Sequence, residues 1–158
     1  MHFLRRRQCR LRHRHYPQKT QLIWIGSRQQ LSKLTVSDVR LSTAVVETDS
    51  TVRDLGVVLD NHLTMIKHVS SVCQSGYHQL RQLRHILNSL TIDTAKTLVH
   101  SFISCRIDYC NSLLFGISNE QLQRLQSVQN AAERLVTGTR RFDHITPMLR
   151  CLHWLPVR

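Results

Sequence analysis

Acidic residues are scarce in this chain: 10 Asp and Glu stand against 22 Lys and Arg, with ten His besides, for a formal net charge of +12. Such a balance disfavours cationic partners and points to a polyanion, either nucleic acid or an anionic membrane surface. The scarcity is also local. No acid occurs in the first nineteen residues, which hold Arg5, Arg6, Arg7, Arg10, Arg12, Arg14 and Lys19, and none occurs between Asp60 and Asp93. Long apolar runs are missing too, since none approaches the roughly 18 residues that a membrane-spanning helix needs. The N-terminus lacks the apolar centre of a secretory signal. No membrane is expected as a partner, and the expected location is intracellular, nuclear or cytoplasmic.

Cysteine is present but in no useful pattern. Cys9, Cys73, Cys105, Cys110 and Cys151 are odd in number and widely spaced, which argues against a disulfide framework and for a reducing compartment. No Cys-x-x-Cys pair offers zinc its usual ligand spacing, and no metal ligands are expected. On one helix Cys105 and Cys110 would stand about 140° apart. His100, the nearest base to Cys110, would be offset along that helix by about 15 Å, which disfavours a cysteine nucleophile. The chain also has no Gly-x-Ser-x-Gly, no glycine-rich phosphate loop and no dense carboxylate pair. No small-molecule substrate is expected.

At 158 residues with 41% hydrophobic content, the chain has the size and the apolar residues for one domain with a core. Residues 1–16 have no apolar period, and their Arg-His alternation repels itself in compact form, so disorder is expected there. Such a tail has three open readings: a nuclear-targeting or RNA-contacting arm, an Arg-rich transit peptide, or a solvated tail. After Pro17, the run Leu22-Ile23-Trp24-Ile25 ended by Gly26 reads as a buried strand. Val36, Val39, Leu41, Val45 and Val46 give a weaker alternation of edge-strand quality. Gly56, inside the run from Val52 to Asp60, marks either a bulge, a close backbone approach or plain strand packing.

From Thr64 the period becomes helical. Met65, Val69, Val72, Gly76, Leu80, Leu83 and Leu87 recur at steps of three and four, which describes a rod about 35 Å long. Thr91 then caps a second helix with Asp93 in its first turn. Its apolar stripe of Ile92, Ala95, Leu98, Val99, Phe102, Ile103 and Tyr109 is broad enough to predict the central helix of the fold. On that phase Phe102→Ala would cost about 3 to 5 kcal/mol. Ser118 and Gln121 have capping-box spacing before a third helix with inner face Leu122, Leu125, Val128, Ala132 and Leu135, closed by Gly138. Thr146-Pro147 opens a short last helix through Leu152.

The outer face of the first long helix carries Lys67, Gln74, His78, Arg81 and His85 at helical steps, with Arg84 beside them. Nothing on that helix offsets their charge. It reads either as a rail for a sugar-phosphate backbone or as a solvated face, and natural solvated faces usually mix signs.

Several runs resemble the reverse transcriptases of non-LTR (LINE-type) retrotransposons. They are Lys19-Thr20 before Leu22-Ile23-Trp24-Ile25-Gly26, then Arg53-Asp54-Leu55-Gly56-Val57-Val58-Leu59-Asp60, then Tyr77-His78-Gln79-Leu80-Arg81-Gln82-Leu83-Arg84. Leu98-Val99-His100-Ser101-Phe102, Asp108-Tyr109-Cys110-Asn111-Ser112-Leu113-Leu114, Ala131-Ala132-Glu133-Arg134-Leu135-Val136 and Leu152-His153-Trp154-Leu155-Pro156 are similar to the same family's thumb and post-thumb region. The resemblance implies that Lys19 matches the palm lysine thought to help protonate pyrophosphate. It further implies that Leu55-Gly56 matches the primer-grip turn, and that the helix from Thr64 matches the thumb helix along the template-primer duplex. Tyr16 stands where the family usually has Asn.

Polymerase chemistry needs carboxylates that hold two Mg²⁺ ions, and the family supplies them from Asp motifs before the Lys19 region. No Asp-Asp pair exists in this sequence. The expectation is therefore a reverse-transcriptase remnant, inactive alone and without its own cofactor, that retains a surface for an RNA/DNA template-primer duplex. Its expected organisation is a disordered tail over 1–16, a partial palm-like β segment over 17–60, and a helical thumb and post-thumb region over 61–158. The fold class is mainly α, an irregular helical bundle after a small β segment. The rival is a non-enzymatic basic helical module that binds nucleic acid or another protein.

Overall fold

The computed structural model describes residues 20–41, 44–87 and 89–140, and Asp143. The basic tail, Lys19 and the helix expected from Thr146 lie outside the described residues. Within them the chain is mainly α, with a small β segment first.

Helix α1 (Arg28–Leu31) is one turn held by a reciprocal cap, in which Gln30 N–H donates to Ser27 Oγ and Ser27 N–H donates to Gln30 Oε1. Strands β1 (Asp38–Leu41) and β2 (Ala44–Glu47) pair antiparallel, as do β3 (Thr51–Asp54) and β4 (Val57–Asp60), giving two separate two-stranded sheets. The run Leu22–Ile25 is not the buried strand its composition suggests. Leu22 alone forms a β-bridge, to Thr48, and Trp24 and Ile25 are exposed. An apolar run becomes a strand only where a neighbour offers a ladder of donors and acceptors, and here the chain bends away after one rung.

The run Val52–Asp60 is a hairpin. Leu55 and Gly56 form its two-residue connection with φ of 46° and 88°, the sign that a I′ turn requires at both central positions. Glycine takes that conformation freely; leucine does so at a steric cost.

Helix α2 (Ile66–Leu87) follows. It starts after Met65 and not at Thr64, because Met65 has φ of 59° and a left-handed residue interrupts the helical path. Its inner face is the one the period indicates: Met65, Val69, Gly76, Leu80, Leu83 and Leu87 are buried, joined by His68 and Cys73. Helix α5 (Asn119–Thr137) runs against it, with Leu125, Val128 and Ala132 in the core and Leu122 and Leu135 half-buried. Gly138, at φ 69°, ends α5 and donates its N–H to Arg134 C=O.

Two expectations for α5 need correction. Ser118 sits at the N-cap but makes no side-chain cap bond, and Gln121 points inward, 4% exposed. Gln121 Oε1 accepts from Arg124 Nη1 instead of folding back on the cap, so the capping-box spacing is used for packing. Gln129 and Glu133 are buried as well. Being covered on more than one side, α5 buries polar positions that an amphipathic stripe would leave in water.

The largest correction concerns the middle helix. α3 (Ile92–Val99) passes into a wide π turn over His100–Ser104 and continues as α4 (Cys105–Asp108). Ala95, Val99, Ile103 and Ile107 are buried, a strict step of four. A 3.6-residue helix drifts off such a row, and the extra residue of the π turn absorbs the drift. Phe102 is therefore turned outward, 43% exposed, with Ile92 and Tyr109 exposed as well. Phe102→Ala loses the large buried-side-chain penalty expected for it. Nor is this helix the centre of the fold, since the most extensive helix packing is between α2 and α5.

That packing is close at one point. A Cβ on Gly76 would lie 2.7 Å from Val128 Cγ1, and valine is stiff about χ1 in a helix. Gly76→Ala should therefore lower stability by about 1 to 3 kcal/mol in urea unfolding, although alanine favours helix over glycine by about 1 kcal/mol. Adding Val128→Ala should recover part of the loss through a negative coupling between the two sites. Strictly additive losses would show that the two helices do not meet there.

Candidate nucleic-acid interface

The start of α2 is built around one carboxylate. Helix α2 has no acid in its first turn. Asp60, at the end of β4 and 7% exposed, supplies one from outside. Its Oδ1 accepts from His62 N–H and Thr64 N–H, both at 3.0 Å, and its Oδ2 accepts from Met65 N–H at 3.0 Å and Thr64 Oγ1 at 2.9 Å. Burial, the largest single influence on this carboxyl, pushes its pKa up. The bonds from Thr64, His62 and Met65 together outweigh it and hold the group below its ordinary value.

Two further bonds tie the hairpin to the helices. Val58 N–H donates to Nδ1 of the buried His68 at 3.3 Å, and Tyr109 Oη donates to Leu55 C=O at 2.8 Å. The first needs a neutral imidazole, and burial lowers the His68 pKa accordingly. The second fixes the tip of the turn, where Leu55 itself remains 83% exposed. Gly56 faces the Tyr109 ring, 4.0 Å from where its Cβ would be.

Beyond this junction, Lys67, Gln74, His78, Arg81, Arg84 and His85 are all exposed. Lys67 and His85 stand near the two ends of α2, about 27 Å apart at 1.5 Å per residue. Gln74, His78 and Arg81 share a shallow depression with Ser71 and Ser75. His78 Nε2 lies 2.9 Å from Gln82 Nε2. Among the described residues the sole ion pair is Lys96 with Asp93, at 3.6 Å on α3, so no carboxylate engages these cations.

Arg81 and Arg84 also border a larger groove of about 1040 Å³ between the C-terminal halves of α2 and α5. Tyr77, Asn130 and Arg134 line it too, and these three were not evident from the sequence. Arg134 is a visible cation on a predicted helix; which neighbour it faces depends on how α5 docks on α2. Arg124, near the middle of the same seam, lines a smaller recess with Cys73 and Tyr77. Burial raises the Cys73 thiol pKa, with Arg124 opposing the shift.

Glu133 adjoins Arg134 in sequence and is fully buried. Its Oε1 accepts from Thr137 Oγ1 at 3.3 Å, while Oε2 has no partner among the described residues. Burial raises its pKa, with Thr137 and Arg134 acting against the shift.

Among the described residues no helix is long and apolar enough to cross a membrane, and no cluster of His, Cys, Asp and Glu could hold a metal ion.

The chain is similar to a curated protein of Drosophila melanogaster, "Probable RNA-directed DNA polymerase from transposon BS", with 29% identity over 110 residues. The aligned part is 68% of this chain and 12% of that relative's length. No protein-family profile matches the chain, and no solved structure matches it. The similarity supports a relationship to reverse transcriptases of transposons.

The junction has a defined pH response. Asp60 has a folded pKa below its unfolded value, so its contribution is complete above about pH 4 and is lost as pH falls through the folded value. His68 is lowered too, so its contribution is complete above about pH 6.5 and is lost on the way down, before that of Asp60. Urea midpoints should fall in two stages on acidification. Asp60→Asn should cost about 1 to 2 kcal/mol at neutral pH and remove the lower stage; an unchanged acid limb would mean the carboxylate does not hold the helix start.

Glu133 carries the opposite sign. Its raised pKa means stability is complete below the ordinary Glu range and is lost as pH rises through the folded value. Glu133→Gln should stabilise the chain by about 1 kcal/mol at pH 7, with the difference shrinking toward pH 4. Thermal melts at the two pH values check this. A glutamine variant less stable at pH 7 would show that the carboxylate is paired.

Proposed function

We propose that this chain is a template-primer-binding part of a non-LTR retrotransposon reverse transcriptase. In this reading helix α2 acts as the thumb helix along the duplex, and the Leu55-Gly56 turn lies at the primer end. The observation that carries the reading is the outward face of α2, where Lys67, Gln74, His78, Arg81 and His85 stand away from the core with no carboxylate engaged. An acid-free rod suits a phosphate backbone, because each contact releases condensed counterions. The turn adds a backbone that can come close to a strand end, held by Tyr109 and topped by an exposed Leu55. Similarity to a transposon RNA-directed DNA polymerase is in keeping with this. No Asp-Asp pair occurs in the sequence, so the reading assigns these residues binding and leaves catalysis to other parts of such an enzyme. On this reading residues 17–60 are palm-like and 61–158 form the thumb and the region after it.

Binding should depend on salt and not on base sequence, and an RNA–DNA hybrid should bind at least as tightly as DNA, because a helix along the backbone reads shape and charge. Replacing Lys67, Arg81 and Arg84 together with Ala should weaken duplex binding and lower the slope of log K against log salt by about 2 to 3. Fluorescence anisotropy at several salt concentrations measures both. An unchanged slope would make the basic face merely solvated, and a protein-interaction bundle would become the better account.

A further inference from the structure

The groove between α2 and α5 differs chemically from the outer face of α2. Leu80, Ala131 and Leu135 give it apolar surface. Tyr77, Arg84, Asn130 and Arg134 line it as well, from the two helices. Tyr77 is 41% exposed although its neighbours Leu80 and Cys73 are buried, so part of its ring is open to a ligand. Arg81 Nε donates to Tyr77 C=O at 3.4 Å, which draws that side chain back along α2 toward the Tyr77 turn. Arg134 Nε is buried and has no hydrogen-bond partner among the described residues. About 1040 Å³ reaches the upper end of the ~300–1,000 Å³ range of ligand clefts.

A duplex keeps its bases stacked inside a cylinder of phosphates and has nothing to offer apolar groups or an aromatic ring lining a groove. An unpaired base offers a flat apolar face, and its flanking phosphates match arginines on the rim. We propose that this groove holds a single-stranded nucleic-acid segment, with a base stacked on Tyr77 and the adjacent phosphates held by Arg84 and Arg134. The proposal rests on the nucleic-acid reading above and adds a second, strand-selective site beside the duplex face.

The test compares the full chain with Tyr77→Leu, Tyr77→Phe and Arg134→Gln. Three labelled probes are used: an oligothymidylate of about twelve nucleotides, an abasic sugar-phosphate polymer of equal charge, and a DNA duplex. Tyr77→Leu should weaken the oligothymidylate by about 5- to 150-fold, from ~1–3 kcal/mol per stacked base. It should leave the abasic polymer and the duplex unchanged, and Tyr77→Phe should bind like the parent. Arg134→Gln should weaken oligothymidylate and abasic polymer alike. A Tyr77→Leu loss equal on all three probes, or no loss on any, overturns the groove while salt-dependent duplex binding persists. If the parent chain binds no probe in a salt-dependent way, the groove and the underlying reading fall together. Arg134→Gln keeps the test decisive should the leucine variant unfold, since no loss on either single-stranded probe, or an equal loss on the duplex, overturns the groove.

Discussion

The carboxylate of Asp60 is the constraint on which the arrangement depends. A helix of 22 residues starts with amide groups that need acceptors, and α2 has no acid of its own in the first turn. The last residue of the preceding hairpin, Asp60, accepts from the amides of His62, Thr64 and Met65, which lead into the helix, and also holds Thr64 Oγ1, the acceptor of Ile66 N–H at 3.5 Å. One buried group thus holds Met65, the left-handed residue directly before the helix, to the end of the hairpin. With the acid placed before the helix and buried, the lead-in to α2 is held while the outward positions stay free of negative charge.

The rotation of α2 is settled farther along, where Gly76 lets Val128 come close. That contact directs the smooth side of α2 toward α5 and turns Lys67, His78 and His85 to the outside. The same approach leaves the C-terminal halves of the two helices flanking a groove, so a basic outer face and a groove of mixed chemistry arise from a single packing event. The two sites proposed above would require no extra element.

The sequence exposes these features unevenly. Strong periodicity made α2 and α5 readable nearly to the residue, including the Gly138 stop, since burial of Val69, Leu80, Leu83, Leu125 and Val128 dominates those helices. The step-of-four row Ala95, Val99, Ile103, Ile107 was misphased because a 3.6-residue period assigns Phe102 to the same stripe. Only the π turn removes it. Leu22–Ile25 has strand composition but lacks a partner ladder, and the Ser118–Gln121 spacing was spent on packing while the reciprocal cap appeared at Ser27–Gln30. For the candidate interface, residues on one helix were legible as a pattern. Those contributed by a second helix, Asn130 and Arg134, depend on tertiary contact and leave no local signal.

The wide turn at His100–Ser104 has a consequence beyond side-chain phase. Tyr109 follows it after the single turn of α4 and holds the tip of the hairpin through Leu55 C=O. Removing one residue from that turn would restore a regular α-helix and rotate everything after it by about 100°. Tyr109 would then swing away from the hairpin while the upstream helix stayed seated on its neighbours. The residue count of a single turn therefore works as a length gauge for a distant loop. A chain of this kind tolerates substitution within the turn far better than a change in its length.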